Sequence, residues 1–237
     1  MRILEVLFPA KCPICGCIVK KGRSGICEEC KTQMPVVTEP FCKHCGKPVA
    51  SLETEYCSDC EKRDSSLTEG TALWVYTEQM RKVMADFKYG GCFEDGRTYI
   101  REFLKRRSKK IAAWQIDGII PVPLHWRRKW FRGYNQAEYL AEEIGKALSI
   151  PVYPRGLTRI RYTTPQKGLD NKQRSDNLKN AFGVNEEYRT LLCQCKNILL
   201  VDDIYTTGAT LEECSKVLKT VGIPNIYFAC LCIGRDY

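Results

Sequence analysis

The chain has 237 residues, 44% hydrophobic and 27% charged, a composition that excludes a disordered or fibrous protein and fits one medium domain with a small appendage. No apolar run approaches the roughly 20 residues that a membrane span requires. The opening residues MRILEVLFPAK are interrupted by Glu5 and lead to no small-residue cleavage site, so a cytoplasmic protein is expected. The formal charge of +9 is concentrated in residues 97–132, where eleven Lys/Arg face only Glu102 and Asp117, and any attraction for phosphates should centre there.

Nine of the fifteen cysteines lie between Cys12 and Cys60, and eight of these form the CxxC pairs Cys12/Cys15, Cys27/Cys30, Cys42/Cys45 and Cys57/Cys60. Within each block eleven residues separate two pairs, and the second block repeats the first after thirty. A CxxC turn presents two thiolates at adjacent corners of a tetrahedron, and a second turn completes it. Residues 1–65 therefore read as a double zinc-ribbon module with structural zinc, one or two ions. Sequential pairing is the simplest arrangement, and a cross-braced one, with Cys12, Cys15, Cys42 and Cys45 on one ion, stays open. Cys17 and His44 read as bystanders. The module has no basic excess, which favours docking over nucleic-acid binding, and removing zinc should unfold it.

The polar stretch 61–70 reads as a boundary, with a second domain over 66–237. There TALWVY predicts a strand and EQMRKVMADFKYGG a helix with Met80, Val83, Met84 and Phe87 on one face. GRTYIREFLKRRSKK predicts a helix with a basic outer face. DGIIPVP predicts a buried strand, and NQAEYLAEEIGKAL a helix whose Ala137, Leu140, Ala141, Ile144 and Leu148 recur at helical spacing. NILLV, LEECSKVLKTVG and NIYFACLCIG continue as strand, helix and strand, with Cys230 and Cys232 as core residues. This alternation predicts an α/β domain with a mostly parallel sheet, whose ligands gather at the carboxyl ends of the strands.

At the end of NILLV stand Asp202 and Asp203, followed by Thr206, Thr207, Gly208, Ala209 and Thr210. A Thr/Gly turn entering a helix offers N–H groups, hydroxyls and the positive end of the helix dipole to a phosphate monoester. Adjacent carboxylates repel phosphate but accept hydrogen bonds from neutral hydroxyls. The combination points to a sugar phosphate. The plainer reading is an acidic strand end with a capping box of Thr210 and Glu213.

NILLVDDIYTTGAT resembles the phosphoribosyl-pyrophosphate (PRPP) motif of type I phosphoribosyltransferases. IIPVPLHWRRKWFRGYNQAEYLA and RYTTPQKGLDNKQRSDNLKNAF resemble the remaining blocks of the ComF family, which pairs a cysteine-rich module with a phosphoribosyltransferase domain. The resemblance covers nearly the whole chain and implies a phosphoribosyltransferase-like sheet flanked by helices. It implies that Asp202 and Asp203 meet ribose hydroxyls and that Thr206–Thr210 hold the 5′-phosphate. It implies that the loop after Val122 (Pro123, Leu124, His125 and Arg128) approaches pyrophosphate, with Mg²⁺ bridging substrate oxygens. Residues 163–177 would be a mobile loop, polar and uncapped, in which Lys167, Lys172 and Arg174 neutralise departing pyrophosphate.

Two functions follow. In HWRRKWFRGY, Arg127, Arg128, Lys129 and Arg132 interleave with Trp126, Trp130, Phe131 and Tyr134, a mixture that suits single-stranded DNA, where cations track phosphates and rings stack on bases. ComF membership implies a role in natural competence, handling incoming DNA alongside other competence proteins. The alternative is a working Mg²⁺-dependent transferase that passes ribose 5-phosphate from PRPP to a nitrogen nucleophile in nucleotide salvage or synthesis. No general base or acceptor pocket is legible.

Overall fold

The computed structural model describes residues 9–19, 25–89, 93–127, 130, 133–161, 163 and 171–235; for residues 93, 94, 171, 172, 174 and 175 it describes the backbone alone. Four parallel strands form the central sheet in the order β1-β6-β5-β2: β1 (Glu69–Val75), β6 (Asn225–Ile233), β5 (Asn197–Tyr205) and β2 (Gly118–Pro121). Both faces of such a sheet must be covered, which accounts for the continuous apolar runs. Along β5, Ile198 and Leu200 enter one apolar cluster while Leu199 and Val201 enter the other.

On the Leu199 face lie α3 (Glu78–Tyr89), α4 (Phe93–Ala113) and α5 (Gln136–Leu148), which bury Phe87, Phe103 and Ile144. The expected apolar faces of α3 and α5 are observed, with Leu148 only partly buried. Asn135 starts α5 by accepting from the Ala137 N–H at 3.2 Å, and Ser149 ends it in the left-handed region at φ 56°. The predicted basic outer face of α4 requires one correction. Arg107 turns inward and donates to the carbonyls of Ala72 (2.9 Å) and Val37 (2.6 Å), because those groups at the sheet edge need partners.

The Leu200 face carries α8 (Ala209–Lys219), the antiparallel hairpin of β3 (Leu157–Arg159) with β4 (Phe182–Val184), α6 (Asn171–Leu178) and α7 (Glu186–Leu192). The hairpin and α7 have no counterpart in the sequence reading. The expected mobile loop over 163–177 is also corrected in part. Its second half lies in α6, whose Leu178 is buried beneath α8, while residues 164–170 lie outside the described residues.

The cysteine-rich segment contains two short helices, α1 (Glu28–Gln33) and α2 (Ser58–Glu61), and flanks the free edge of β1. The connection between the repeats covers that edge: Val37 N–H bonds Leu73 O, Val75 N–H bonds Pro35 O, and Val36 bridges Trp74. The first repeat packs Cys12, Ile26, Cys30 and Met34 into the α3/α4 cluster. The second packs Cys42, Cys45 and Cys57 into the α8 cluster. The stretch 61–70 is therefore no free tether: Leu67 is buried, and Glu69 and Gly70 already belong to β1. Among the described residues, no helix is long and apolar enough to cross a membrane.

Candidate functional site

The thiols fall into two clusters in sequential order, which answers the open question of pairing against the cross-braced arrangement. Cys42, Cys45, Cys57 and Cys60 place their sulfurs within 4.8 Å of one another, with Cys45 and Cys57 3.5 Å apart. Tetrahedral zinc with about 2.3 Å bonds separates its sulfurs by about 3.8 Å, so the spacing and the all-thiol donor set fit structural zinc. Hydrogen bonds within this cluster, from Cys45 first, drive the Cys42 thiol down, and those from Cys42 drive Cys45 up. The first cluster brings Cys12, Cys15, Cys17 and Cys27 within 4.8 Å, with Cys15 and Cys27 3.7 Å apart. Buried Cys30 interacts with Cys15 and Cys27. Five thiols thus surround this site, and Cys17, 3.2 Å from Cys15, is not the bystander that the CxxC spacing implied. His44 is not idle either. Its ring bonds Leu67 O at 2.9 Å on one side and faces Cys60 Sγ at 3.4 Å on the other.

At the carboxyl end of the sheet, β5 runs four residues further than expected, so Asp202 and Asp203 lie inside the strand and not after it. Asp202 pairs in register with Cys230 of β6, and Val122 N–H bonds Val201 O at 2.8 Å, which sets the loop after β2 beside the acid pair. Asp203 forms an ion pair with Lys88 at 3.0 Å, both side chains largely enclosed at 13% and 20% exposure. Gln136 fixes the end of α3 by donating to Lys88 O at 3.2 Å. Asp202 accepts from the Asp203 N–H at 2.9 Å. Burial first, and then the neighbouring Asp203 charge, push the Asp202 carboxyl up to about 7. The Asp203 N–H bond and the charges of Lys88 and Arg159 pull the other way. Arg159, on β3, also bonds Thr163 and lies 5.2 Å from the Phe182 ring. Lys88 and Arg159 have no motif of their own; only the fold brings them to the pair.

Beyond β5 the chain turns into α8 through Gly208, at φ 76°. A Cβ there would come within 2.5 Å of the Tyr205 hydroxyl, so the position excludes a side chain on both steric and conformational grounds. No side chain caps α8 at this residue, which leaves its N-terminus presented by backbone. Thr207, Gly208 and Ala209 are buried, and Thr206 and Thr210 are partly so. The capping-box alternative does not form: Thr210 is already the second helical residue, and Glu213 pairs with Lys216 at 2.7 Å.

In the loop after β2, Pro123 and Leu124 are partly buried. His125 is buried and accepts from the Arg127 N–H at 3.3 Å. Asn135 braces the loop by donating to Val122 O at 3.1 Å. Trp126 and Trp130 are exposed at 65% and 85%, and the Arg127 guanidinium lies 5.2 Å from the Trp126 ring centre. Tyr134 departs from the expected stacking set: its hydroxyl donates to Phe87 O and its ring meets Phe87 edge-on. Arg128, Lys129, Phe131, Arg132 and Lys167, and the side chains of Lys172 and Arg174, lie outside the described residues.

Folded Asp202 keeps its proton to about pH 7, whereas the unfolded chain releases it near pH 4. Between those values the unfolded chain binds fewer protons, so this group makes stability fall as pH rises. Asp202→Asn retains the acceptor for the Asp203 N–H and carries no charge. It is expected to stabilise the ligand-free protein at pH 8 by ~1–4 kcal/mol and to have little effect at pH 4. Urea unfolding at the two pH values checks this, and a pH-independent gain would contradict it.

Comparison with known proteins adds independent support. Residues 3–61 match the double zinc ribbon domain family. "Competence protein F" of Haemophilus influenzae is 32% identical over 92% of this chain and 95% of its own length. "DNA utilization protein YhgH" of Escherichia coli K12 is 27% identical over 94% and 97%. "Competence protein ComFC" of Bacillus subtilis is 28% identical over 85% and 81%. A purine phosphoribosyltransferase from Pyrococcus horikoshii covers 57% of this chain and 72% of its own at 18% identity and a TM-score of 0.37, a likeness too slight to argue from. Two cysteine clusters in sequence, a parallel α/β sheet behind them and full-length similarity at this level mean that the chain belongs to the ComF family of competence-related proteins.

Proposed function

We propose that the chain binds a ribose 5-phosphate ligand, PRPP with Mg²⁺, at the end of β5, and that it handles incoming single-stranded DNA during DNA uptake. One observation carries the first part: a largely enclosed carboxylate pair adjoins, within the same strand and turn, a helix N-terminus whose N-cap residue, Gly208, offers no side chain to cap it. Asp202 and Asp203 would accept from ribose hydroxyls, and the Thr206–Thr210 turn would take the 5′-phosphate. Pro123, Leu124, His125 and Arg128 would flank pyrophosphate, and Arg174 would come from α6. Magnesium, when bound, would supply charge neutralisation for the pyrophosphate. Lys88 holds Asp203 in the ligand-free form and would offset part of the pair's charge when hydroxyls arrive.

The DNA part draws on the basic excess of residues 97–132, the exposed Trp126 and Trp130, and the Arg127–Trp126 contact. The names of the relatives, competence and DNA utilization proteins, point the same way and support partners within a competence machinery. Arg127, Arg128, Lys129, Trp130 and Arg132 would form this contact. The second reading is a transferase in which a nitrogen nucleophile displaces pyrophosphate from C1 with inversion. The same acid pair favours it, and pyrophosphate release with a defined acceptor would establish it.

Calorimetric titration of PRPP with Mg²⁺ into the zinc-loaded protein is expected to show one site. The Asp202→Asn/Asp203→Asn variant should lose at least about tenfold in affinity, as two charge-assisted bonds disappear. An unchanged affinity in that variant would refute the site. Single-stranded DNA binding is expected to weaken steeply with salt and to weaken further on changing Arg127, Arg128 and Lys129 to Ala. Equal binding by the triple variant would place DNA elsewhere.

A further inference from the structure

The turn that carries Thr206–Thr210 is gripped from outside by the segment following the second cysteine cluster. Arg63 donates from Nη1 to Thr207 O at 2.7 Å. Glu212, buried in the first turn of α8, accepts from Ser65 Oγ at 2.8 Å and from both the N–H and the hydroxyl of Ser66 at 2.7 Å. Ser215 returns a bond from its hydroxyl to Ser66 O at 2.9 Å. On the other flank Lys47, 3% exposed and paired with Asp59, lies 5.8 Å from the Tyr205 ring centre. The Tyr205 ring in turn lines the space beside Gly208. These contacts join residues roughly 150 positions apart: Arg63 holds the turn itself, Ser65 and Ser66 hold the helix that follows it, and Lys47 lies beside the strand end that precedes it.

A buried carboxylate with three donors is expensive to assemble unless its geometry matters. Here it fixes the helix whose first N–H groups face the turn. An arginine on Thr207 O orients the peptide unit joining Thr207 to Gly208, and with it the N–H of Gly208. We infer that Arg63 and Glu212 are positioning residues for anion binding at the Thr206–Thr210 turn, so that the folded second cysteine repeat sets the affinity of the sheet for a phosphate ester. This rests on the ribose-phosphate reading above.

The test uses the full zinc-loaded chain with two probes. Ribose 5-phosphate reports the turn, and pyrophosphate with Mg²⁺ reports the loop after Val122. Arg63→Ala is expected to weaken ribose 5-phosphate about tenfold, the worth of one charge-assisted bond, while pyrophosphate binding stays within about twofold. Arg63→Lys, which keeps a cationic donor, should recover most of the loss. If Arg63→Ala does not fold, Glu212→Gln carries the same comparison. Equal losses for both probes, or no loss for ribose 5-phosphate, would overturn the inference. If the unmutated chain takes no ribose 5-phosphate, the ligand reading fails, and amide exchange at 206–211 in the ligand-free protein decides the positioning claim. Faster exchange in Arg63→Ala sustains it, and unchanged exchange overturns it.

Discussion

Two carboxylates next to each other in a buried parallel strand are a constraint that the surrounding structure must answer. Like charges at that separation in a low-dielectric site raise each other's cost of ionisation. The chain answers with Lys88 from the end of α3, with Arg159 from the β3–β4 hairpin, and by leaving Asp202 inclined to keep its proton. Each answer requires a neighbouring element to arrive at a set place. Gln136 and Tyr134 tie α3 to α5, and Asn135 ties α5 to the end of β2. The pair thus organises the carboxyl end of the sheet, and a carboxyl perturbed by burial and a like charge in this way marks a candidate functional site.

The cysteine repeats belong to the same body. Covering the open edge of β1 removes a pairing hazard, and sharing apolar clusters with both faces gives each repeat the core that a small metal module lacks. Zinc then has two consequences. It would hold each ribbon, and through Arg63, Ser65 and Ser66 the segment after the second ribbon reaches the Thr206–Thr210 turn and the first turn of α8.

Much of this was legible beforehand because the signals are local. CxxC spacing, the 3.6-residue apolar periods of α3, α5 and α8, and the run from Asn197 into the Thr/Gly turn each sit within some twenty residues. What was missed is non-local or short. The three-residue strands β3 and β4 carry too little pattern to stand out, and α6 is polar enough to pass for a loop. Lys88, Arg159, Arg63 and Glu212 are ordinary charged residues until the fold brings them to the site. Arg107 read as part of a solvated face, because a helical period says nothing about which carbonyls lie across from it.

On the proposed function, the acid pair and the turn read one molecule together, hydroxyls at one end and phosphate at the other. The most direct measurement compares ribose 5-phosphate with 2-deoxyribose 5-phosphate by equilibrium dialysis at pH 8. The deoxy compound is expected to bind more weakly by about tenfold, since an ionised acceptor loses its donor while the phosphate contacts are unchanged. Equal affinity for the two would mean that the carboxylates do not touch the sugar, which contradicts a ribose-binding role for the pair.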